Sequence, residues 1–321
     1  MRLALTRLLV TAAAGLALTA CRGRTPASRL ALIASRGELV CGVSPGVDGF
    51  STVDAQGRHT GFDVDICRAV AAAILGDADR VRYVQASSVD DFLRSRDIDV
   101  VSRRLTQSLS REGVGLLFGP VTFYDGQGFL VAGRLHAHGV ADLAGKAVCV
   151  DAGTLFESNL TASFSAKSLA LSKHLLDSSS DVADRLADGR CDAYTADVSE
   201  LGAIRARATN RADLEILADQ ISEEPLAQVV RPSDVDLFDV LRWTVYAMIQ
   251  AEARGVTSRN VEQLLGSADM DVRRLLGVTP GNGAALGLRE RWAYDVIKSV
   301  GNYGEVFDRN VGVKSAIRLE R

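Results

Sequence analysis

The chain has 321 residues, 47 % hydrophobic and 24 % charged, the composition of a globular protein long enough for about two domains. Its net charge of −3 at pH 7 argues against nucleic acid as the main partner, since binding phosphates takes a surplus of Lys and Arg. Beyond the N-terminal segment, no run approaches the roughly 20 unbroken apolar residues of a membrane span.

Residues 1–20 read as a signal peptide. Arg2 and Arg7 make a positive start, and Leu8 to Leu18 an apolar stretch too short to remain as a membrane helix. The stretch ends in Leu18-Thr19-Ala20-Cys21, the pattern of a bacterial lipobox, with Cys21 as the lipidation site. The alternative is a plain secretory signal with Cys21 unmodified. Either places the folded part outside the cytoplasm, and the lipobox makes it a periplasmic lipoprotein tied to a membrane. Cysteine usage fits an oxidising space: of five Cys, at 21, 41, 67, 149 and 191, four remain if Cys21 is lipidated, and four allow three pairings. None stands in a CxxC spacing, which argues against zinc or thioredoxin-like chemistry. His136 and His138, flanking one residue in a polar loop, read as solvated. No metal or cofactor is expected.

Residues 21–36 read as a tether running into a first helix, polar at Arg22, Arg24 and Ser28 and apolar from Leu30 to Ile33. Strands and helices then alternate. Glu38–Val43 is an apolar strand. Asp63–Leu75 is a helix, with Val64, Cys67, Val70, Ala71 and Ile74 at spacings of three and four. Val81–Val84 is a strand, Val89–Arg94 a short helix and Ile98–Val101 a strand, so the pattern predicts parallel βαβ units. Phe123–Val131, punctuated by glycines, suits an extended connection. The pattern restarts with the strand Ala147–Val150, helices near Leu155–Phe164 and Val182–Leu186, the strand Ala193–Thr195 and the helix Val198–Arg207. Leu226–Val230 is a second extended run that carries the chain back. Two crossings between two units are the ingredients of a hinge. From Asp234 onward helices dominate: Val235–Glu252, Val261–Leu265 and Leu288–Val300.

In open α/β sheets ligands bind beyond the carboxyl ends of the strands. After Ile98–Val101 runs Ser102-Arg103-Arg104-Leu105-Thr106-Gln107-Ser108-Leu109-Ser110-Arg111, rich in hydroxyls and guanidinium groups that can grip a carboxylate. By composition alone a solvated polar loop is the commoner outcome. Asp151-Ala152-Gly153-Thr154 precedes a helix, whose start attracts anions, although a Thr cap there is routine. Asp197 can hold an ammonium group or cap the next helix, and taken alone the cap is the commoner role. No GxSxG, Walker loop or HExxH is present.

Taken together, Gly37–Val43, Gly61–Ala73, Phe123–Phe129, Gly189–Asp197, Trp292–Asp295 and Val300–Phe307 are similar to the family of general L-amino-acid-binding proteins of ABC importers, from about Gly37 to Gly312. The resemblance implies a type II periplasmic-binding-protein fold, with two α/β lobes joined by two hinge strands. Lobe 1 is expected over 37–127 and 225–321, and lobe 2 over 128–224. It implies that Arg111 clamps the α-carboxylate of the ligand, helped by the Thr106 backbone and the helix start at Thr154. Asp197 then receives the α-ammonium, and Phe50 walls the pocket. Each lobe owns two cysteines, so Cys41 with Cys67 and Cys149 with Cys191 are the expected disulfides, since cross-lobe bridges would lock the hinge.

The chain departs from the family's usual pattern in two places. Arg104 and Leu105 stand in a run that usually reads Ser-Arg-Asn-Thr-Thr-Trp-Thr, and Leu155-Phe156 replace two hydroxyl residues after Thr154. Arg104 is an added cation near the pocket floor, suited to the side-chain carboxylate of an acidic ligand; the competing reading turns it outward. The function expected is a solute-binding lipoprotein, not an enzyme. It captures an amino acid, acidic or polar, and delivers it to the membrane permease subunits of an ABC importer. The alternatives are a cyclohexadienyl dehydratase-like enzyme on the same scaffold and a non-transport sensor or accessory lipoprotein.

Overall fold

The structure is a computed structural model that describes residues 28–321 except Pro45 and Ser87, and only the backbone of residues 89–91. The expected signal peptide and lipidated Cys21 lie outside the described residues.

Helix α1 (Arg29–Arg36) opens on Ser28, whose hydroxyl accepts from the Ala31 N–H, and stops at Gly37, left-handed at φ 72°. The apolar strand β1 (Leu39–Val43) is buried throughout. A small hairpin, β2 (Thr52–Val53) and β3 (His59–Thr60), leads into α2 (Phe62–Leu75). Then follow β4 (Val81–Gln85), α3 (Val89–Arg94), β5 (Val100–Thr106), α4 (Leu109–Gly113) and β6 (Leu117–Asp125). A second pass comprises β7 (Gln127–Ala132), β8 (Ala147–Asp151), α5 (Leu155–Ala166), β9 (Ser172–Leu176), α6 (Val182–Asp188), β10 (Ala193–Asp197), α7 (Val198–Arg207) and β11 (Leu214–Ile216). After β12 (Glu224–Val230) the chain ends in α8 (Val235–Ala253), α9 (Met270–Leu275), α10 (Asn282–Ala285), α11 (Trp292–Ser299) and α12 (Tyr303–Asn310).

The strands form two five-stranded sheets built alike. In the first, ordered β4-β1-β5-β12-β6, β1 runs parallel to both neighbours while β12 is antiparallel to β5 and β6. In the second, ordered β11-β7-β10-β8-β9, β8 runs parallel to both neighbours while β7 is antiparallel to β10 and β11. The first sheet packs against α2, α8, α11 and α12 through Ile66, Leu241, Trp292, Ile297 and Phe307. The second buries Phe129, Val150 and Phe164 on one face and Leu186, Tyr194 and Leu201 on the other. No described helix is long and apolar enough to cross a membrane.

Chain passes between the sheets at Gly126 and again before Glu224, and the two crossings touch. Glu224 pairs with Asp125, and the Ile221 N–H donates to the Gln127 carbonyl at 2.8 Å. The connection expected as one strand over Phe123–Val131 is therefore two. A side chain at Gly126 would lie 2.3 Å from the Ser222 carbonyl oxygen, so only glycine lets the crossings run side by side.

The end of the expected tether is a docked helix, α1, because Ile33 enters the lobe 1 core and both Arg29 and Arg36 pair with Asp99. Helix α12 was not anticipated, yet Asn302 and Glu305 form a capping box at its start. Strand β9 escaped because only Leu176 within it is buried, leaving no apolar alternation to detect. Disulfides join Cys41 to Cys67 and Cys149 to Cys191, each within one lobe, with Cα separations of 6.2 and 5.8 Å.

Candidate ligand-binding site

Strand β5 in lobe 1 and strand β10 in lobe 2 bring Thr106 and Asp197 to their carboxyl ends. Beneath the end of β5 lies a buried polar network. The Ser102 hydroxyl donates to Asp63 Oδ1 at 2.8 Å, and the Gln228 amide donates to Ser102 and Thr122. Burial pushes the Asp63 carboxyl up to about 6, against the Ser102 hydrogen bond and the charge of Arg104.

Two residues past Ser102 the backbone twists. Arg104 has φ 51°, a left-handed conformation that costs a non-glycine residue roughly 1 kcal/mol or more. Its side chain does not turn out to solvent. The guanidinium stands 5.4 Å from the centre of the Phe50 ring, and Nη1 donates to the Ser199 hydroxyl at 2.6 Å across the two lobes. Its Nε is buried without a partner. Phe50 is itself only 1 % exposed and packs edge-on against Phe123, 5.2 Å away. Further along, the Thr106 hydroxyl donates to Glu224 Oε2 at 2.9 Å, and Arg111 Nη1 donates to the Thr106 carbonyl at 2.6 Å. Arg111 is held over this turn by α4, where Ser108 caps the Arg111 N–H.

On the lobe 2 side, Thr154 caps α5. Its hydroxyl donates to the Asp151 carbonyl at 2.7 Å and accepts from the Glu157 N–H at 3.4 Å. Asp197 stands before α7 in the position of a cap but makes no capping bond. Asp125 takes that role from the hinge, its Oδ1 accepting from the Ser199 N–H at 3.1 Å. The Asp197 carboxylate is left with a buried, unpartnered Oδ1. Burial first, then the carboxylates of Asp125 and Glu224, push its pKa up to about 7, with Arg104 acting the other way.

Of the six residues singled out from the sequence, the structure sets Arg104 on Phe50 and within electrostatic reach of Asp197, and bonds Arg111 to Thr106. Among the described residues no hydrogen bond links Thr154 to the other five. Sequence reasoning passed over Ser199, Glu200, Glu224 and Asp125. Ser199 and Glu200 look like ordinary helix residues, and only the docking of the other lobe gives Ser199 the Arg104 guanidinium as a partner and sets that charge near Glu200. Among the described residues no group of three or more His, Cys, Asp or Glu side chains is gathered as a metal ion would need.

Two lobes of like topology, two adjoining crossings and opposed charged groups where the lobes face one another define a solute receptor of the type II periplasmic-binding-protein fold. Residues 39–254 match the bacterial extracellular solute-binding proteins, family 3, and the chain belongs to that family. It is 41 % identical to the general L-amino acid-binding periplasmic protein AapJ of Rhizobium johnstonii, over 98 % of this chain and 94 % of that protein. It is 40 % identical to the glutamate/glutamine/aspartate/asparagine-binding protein BztA of Rhodobacter capsulatus, over 93 % of this chain and 90 % of the relative. Its structure is similar to that of a periplasmic binding protein of an ABC transporter from Brucella ovis with glutathione bound. There the TM-score is 0.79 and the identity 38 %, covering 92 % of this chain and 94 % of that one.

Proposed function

We propose that this chain is the periplasmic receptor of an amino-acid ABC importer, anchored to a membrane through lipidated Cys21, that takes an acidic or polar amino acid between its lobes. Arg111 and the Thr106 backbone hold the α-carboxylate from lobe 1, with the helix start at Thr154 facing it from lobe 2. Asp197 receives the α-ammonium, and Phe50 walls the pocket. The closed clamp then docks on the permease subunits. The observation that carries this reading is the buried, unpartnered Asp197 carboxylate, which has a hinge aspartate capping the helix in its place. A buried carboxylate without a partner is completed by a cation, and the ammonium of an amino acid supplies one.

Arg104 supports the finer choice of ligand. Its buried Nε is a donor awaiting an acceptor, which a side-chain carboxylate or amide provides. The relative from Rhodobacter capsulatus is named for glutamate, glutamine, aspartate and asparagine. Titration calorimetry tests both levels. Arg111→Ala is expected to weaken every amino acid by roughly thirtyfold or more, because it strips the carboxylate of a charged partner. Arg104→Asn is a clean probe, since Asn tolerates a left-handed backbone better than Arg. It is expected to weaken glutamate roughly tenfold while changing leucine little. Unchanged glutamate affinity would remove Arg104 from the specificity residues, and unchanged binding of all amino acids by Arg111→Ala would remove the clamp. We read the chain as a binding protein, so incubation with prephenate or arogenate is expected to return each unconverted.

A further inference from the structure

A cavity of about 500 Å³ opens between the lobes on the far side of Arg104. Lobe 1 supplies the loop Gly46 to Asp48 and Arg104 itself; lobe 2 supplies the start of α6 and one face of α7, including Glu200, Ala203 and Arg207. Arg104 is the residue that the cavity shares with the clamp, so the two spaces are neighbours across one guanidinium. The volume lies within the roughly 300–1,000 Å³ that hold ligands larger than a free amino acid. Glu200 faces this space. Its half-buried carboxyl accepts no hydrogen bond among the described residues, and burial raises its pKa while Arg104 opposes the rise. The wall therefore offers a solvated acceptor with no protein donor among the described residues beside an incompletely satisfied donor, the buried Nε of Arg104.

We propose that this cavity is the second compartment of the ligand site and takes the far part of an amino acid extended through an amide on its side chain, a γ-glutamyl-type conjugate. This rests on the clamp reading above and adds the direction of growth. With the α-carboxylate on Arg111 and the α-ammonium on Asp197, both groups at the ligand's α-carbon are in use. An ordinary α-linked peptide converts one of them into a neutral amide and forfeits its partner. A side-chain amide leaves the zwitterion whole and carries the extension toward Arg104. There the amide carbonyl accepts from the guanidinium and the amide N–H donates to Glu200. Beyond the amide, Asp48 is paired with Arg207 and Asp181 with Arg185, which leaves Asp184 as the wall's further carboxylate.

The test is calorimetry of the full mature chain with glutamate, γ-glutamyl-alanine and α-glutamyl-alanine, on the wild type and on Ala203→Trp, which fills the cavity without touching the clamp. The γ-linked ligand is expected to bind at least about tenfold more tightly than the α-linked one, and Ala203→Trp to abolish that advantage while glutamate binds within about twofold of wild type. Glu200→Gln serves as a second variant should Ala203→Trp fold poorly, and it is expected to weaken only the γ-linked ligand. If glutamate binds but the two linked ligands are equally weak, the compartment proposal is overturned and the clamp stands. The same holds if the γ-linked ligand binds the filled variant as well as the wild type. If no amino acid binds the wild type, the clamp reading falls, and this proposal with it.

Discussion

At the scale of single residues, the cleft is governed by carboxyls kept from water. Burial raises the Asp197 pKa to about 7 and the Asp63 pKa to about 6, from an ordinary aspartate value of 3.8. A carboxyl raised in the folded state binds more protons folded than unfolded between its two pKa values. The contribution of these two carboxyls to stability therefore falls as the pH rises from about 4 to about 7, and does not return above. In the proposed clamp, ligand binding has the opposite dependence. An ammonium favours the ionised Asp197, so binding below pH 7 releases a proton and tightens by up to about tenfold per pH unit until Asp197 is ionised. Calorimetry at pH 5, 6, 7 and 8 is expected to give this rise and plateau, and Asp197→Asn to bind weakly with a flat profile. A rise that persists in Asp197→Asn would assign the proton to another group.

Which residues do this was only partly legible in the sequence. Arg111 and Asp197 stood out through family resemblance, while local chemistry favoured a cap for Asp197. That preference failed because Asp125, 74 positions from the Ser199 N–H it accepts, reaches the helix start first. A long-range competitor of this kind leaves no trace in the residues beside Asp197. The left-handed backbone at Arg104 is equally silent, because nothing local in Ser102-Arg103-Arg104 demands it.

Among the elements, the C-terminal tail joins the two lobes in a way that helix and strand patterns do not reveal. Ile317 is 3 % exposed and sits between two glycines from different lobes. A side-chain carbon added to Gly49 would stand 2.3 Å from Ile317 Cδ1, and one added to Gly202 would stand 2.6 Å from Ile317 Cγ2. Arg205 of α7 then donates to the Ile317 and Arg318 carbonyls, at 2.8 and 3.2 Å. Trimming Ile317→Ala leaves a hole at this junction and is expected to lower stability by about 2–4 kcal/mol in chemical denaturation. Gly202→Ala crowds the same contact and is expected to destabilise as well. Loss below about 0.5 kcal/mol for both would mean that the tail is not packed there in solution. The disulfides act within each lobe. The Cys149–Cys191 bridge spans 42 positions, and removing it as Cys149→Ala with Cys191→Ala is expected to cost about 4 kcal/mol by the chain-entropy estimate. Urea unfolding of the double variant against wild type measures that loss.

For the whole molecule, the arrangement described is one with the lobes in contact. Arg104 reaches Ser199, and Arg207 pairs with Asp48 at 2.6 Å, each bond joining lobe 1 to lobe 2. Only contacts that span both lobes can bias closing, and a ligand shifts the balance by its own bridging contacts. Small-angle scattering is expected to show a smaller radius of gyration with glutamate than without. Because the Arg207–Asp48 pair is largely solvated, Asp48→Ala is expected to weaken closing by less than about 1 kcal/mol. A radius that does not respond to any amino acid would argue against a closing clamp.

The sequence by itself determined what depends on neighbours along the chain. Apolar runs at β1 and β8 and three-and-four spacing in α2 dictate alternating strands and helices, because burial and backbone hydrogen bonding act there over a few residues. The family resemblance rests on those same local strings. Tertiary structure alone decided what depends on groups far apart in the chain. It set Asp125 rather than Asp197 on the start of α7, placed Arg104 between Phe50 and Ser199, opened the cavity beside Glu200, and seated Ile317 between Gly49 and Gly202. Charge and packing in those places are settled by distance through space, which the order of residues does not state.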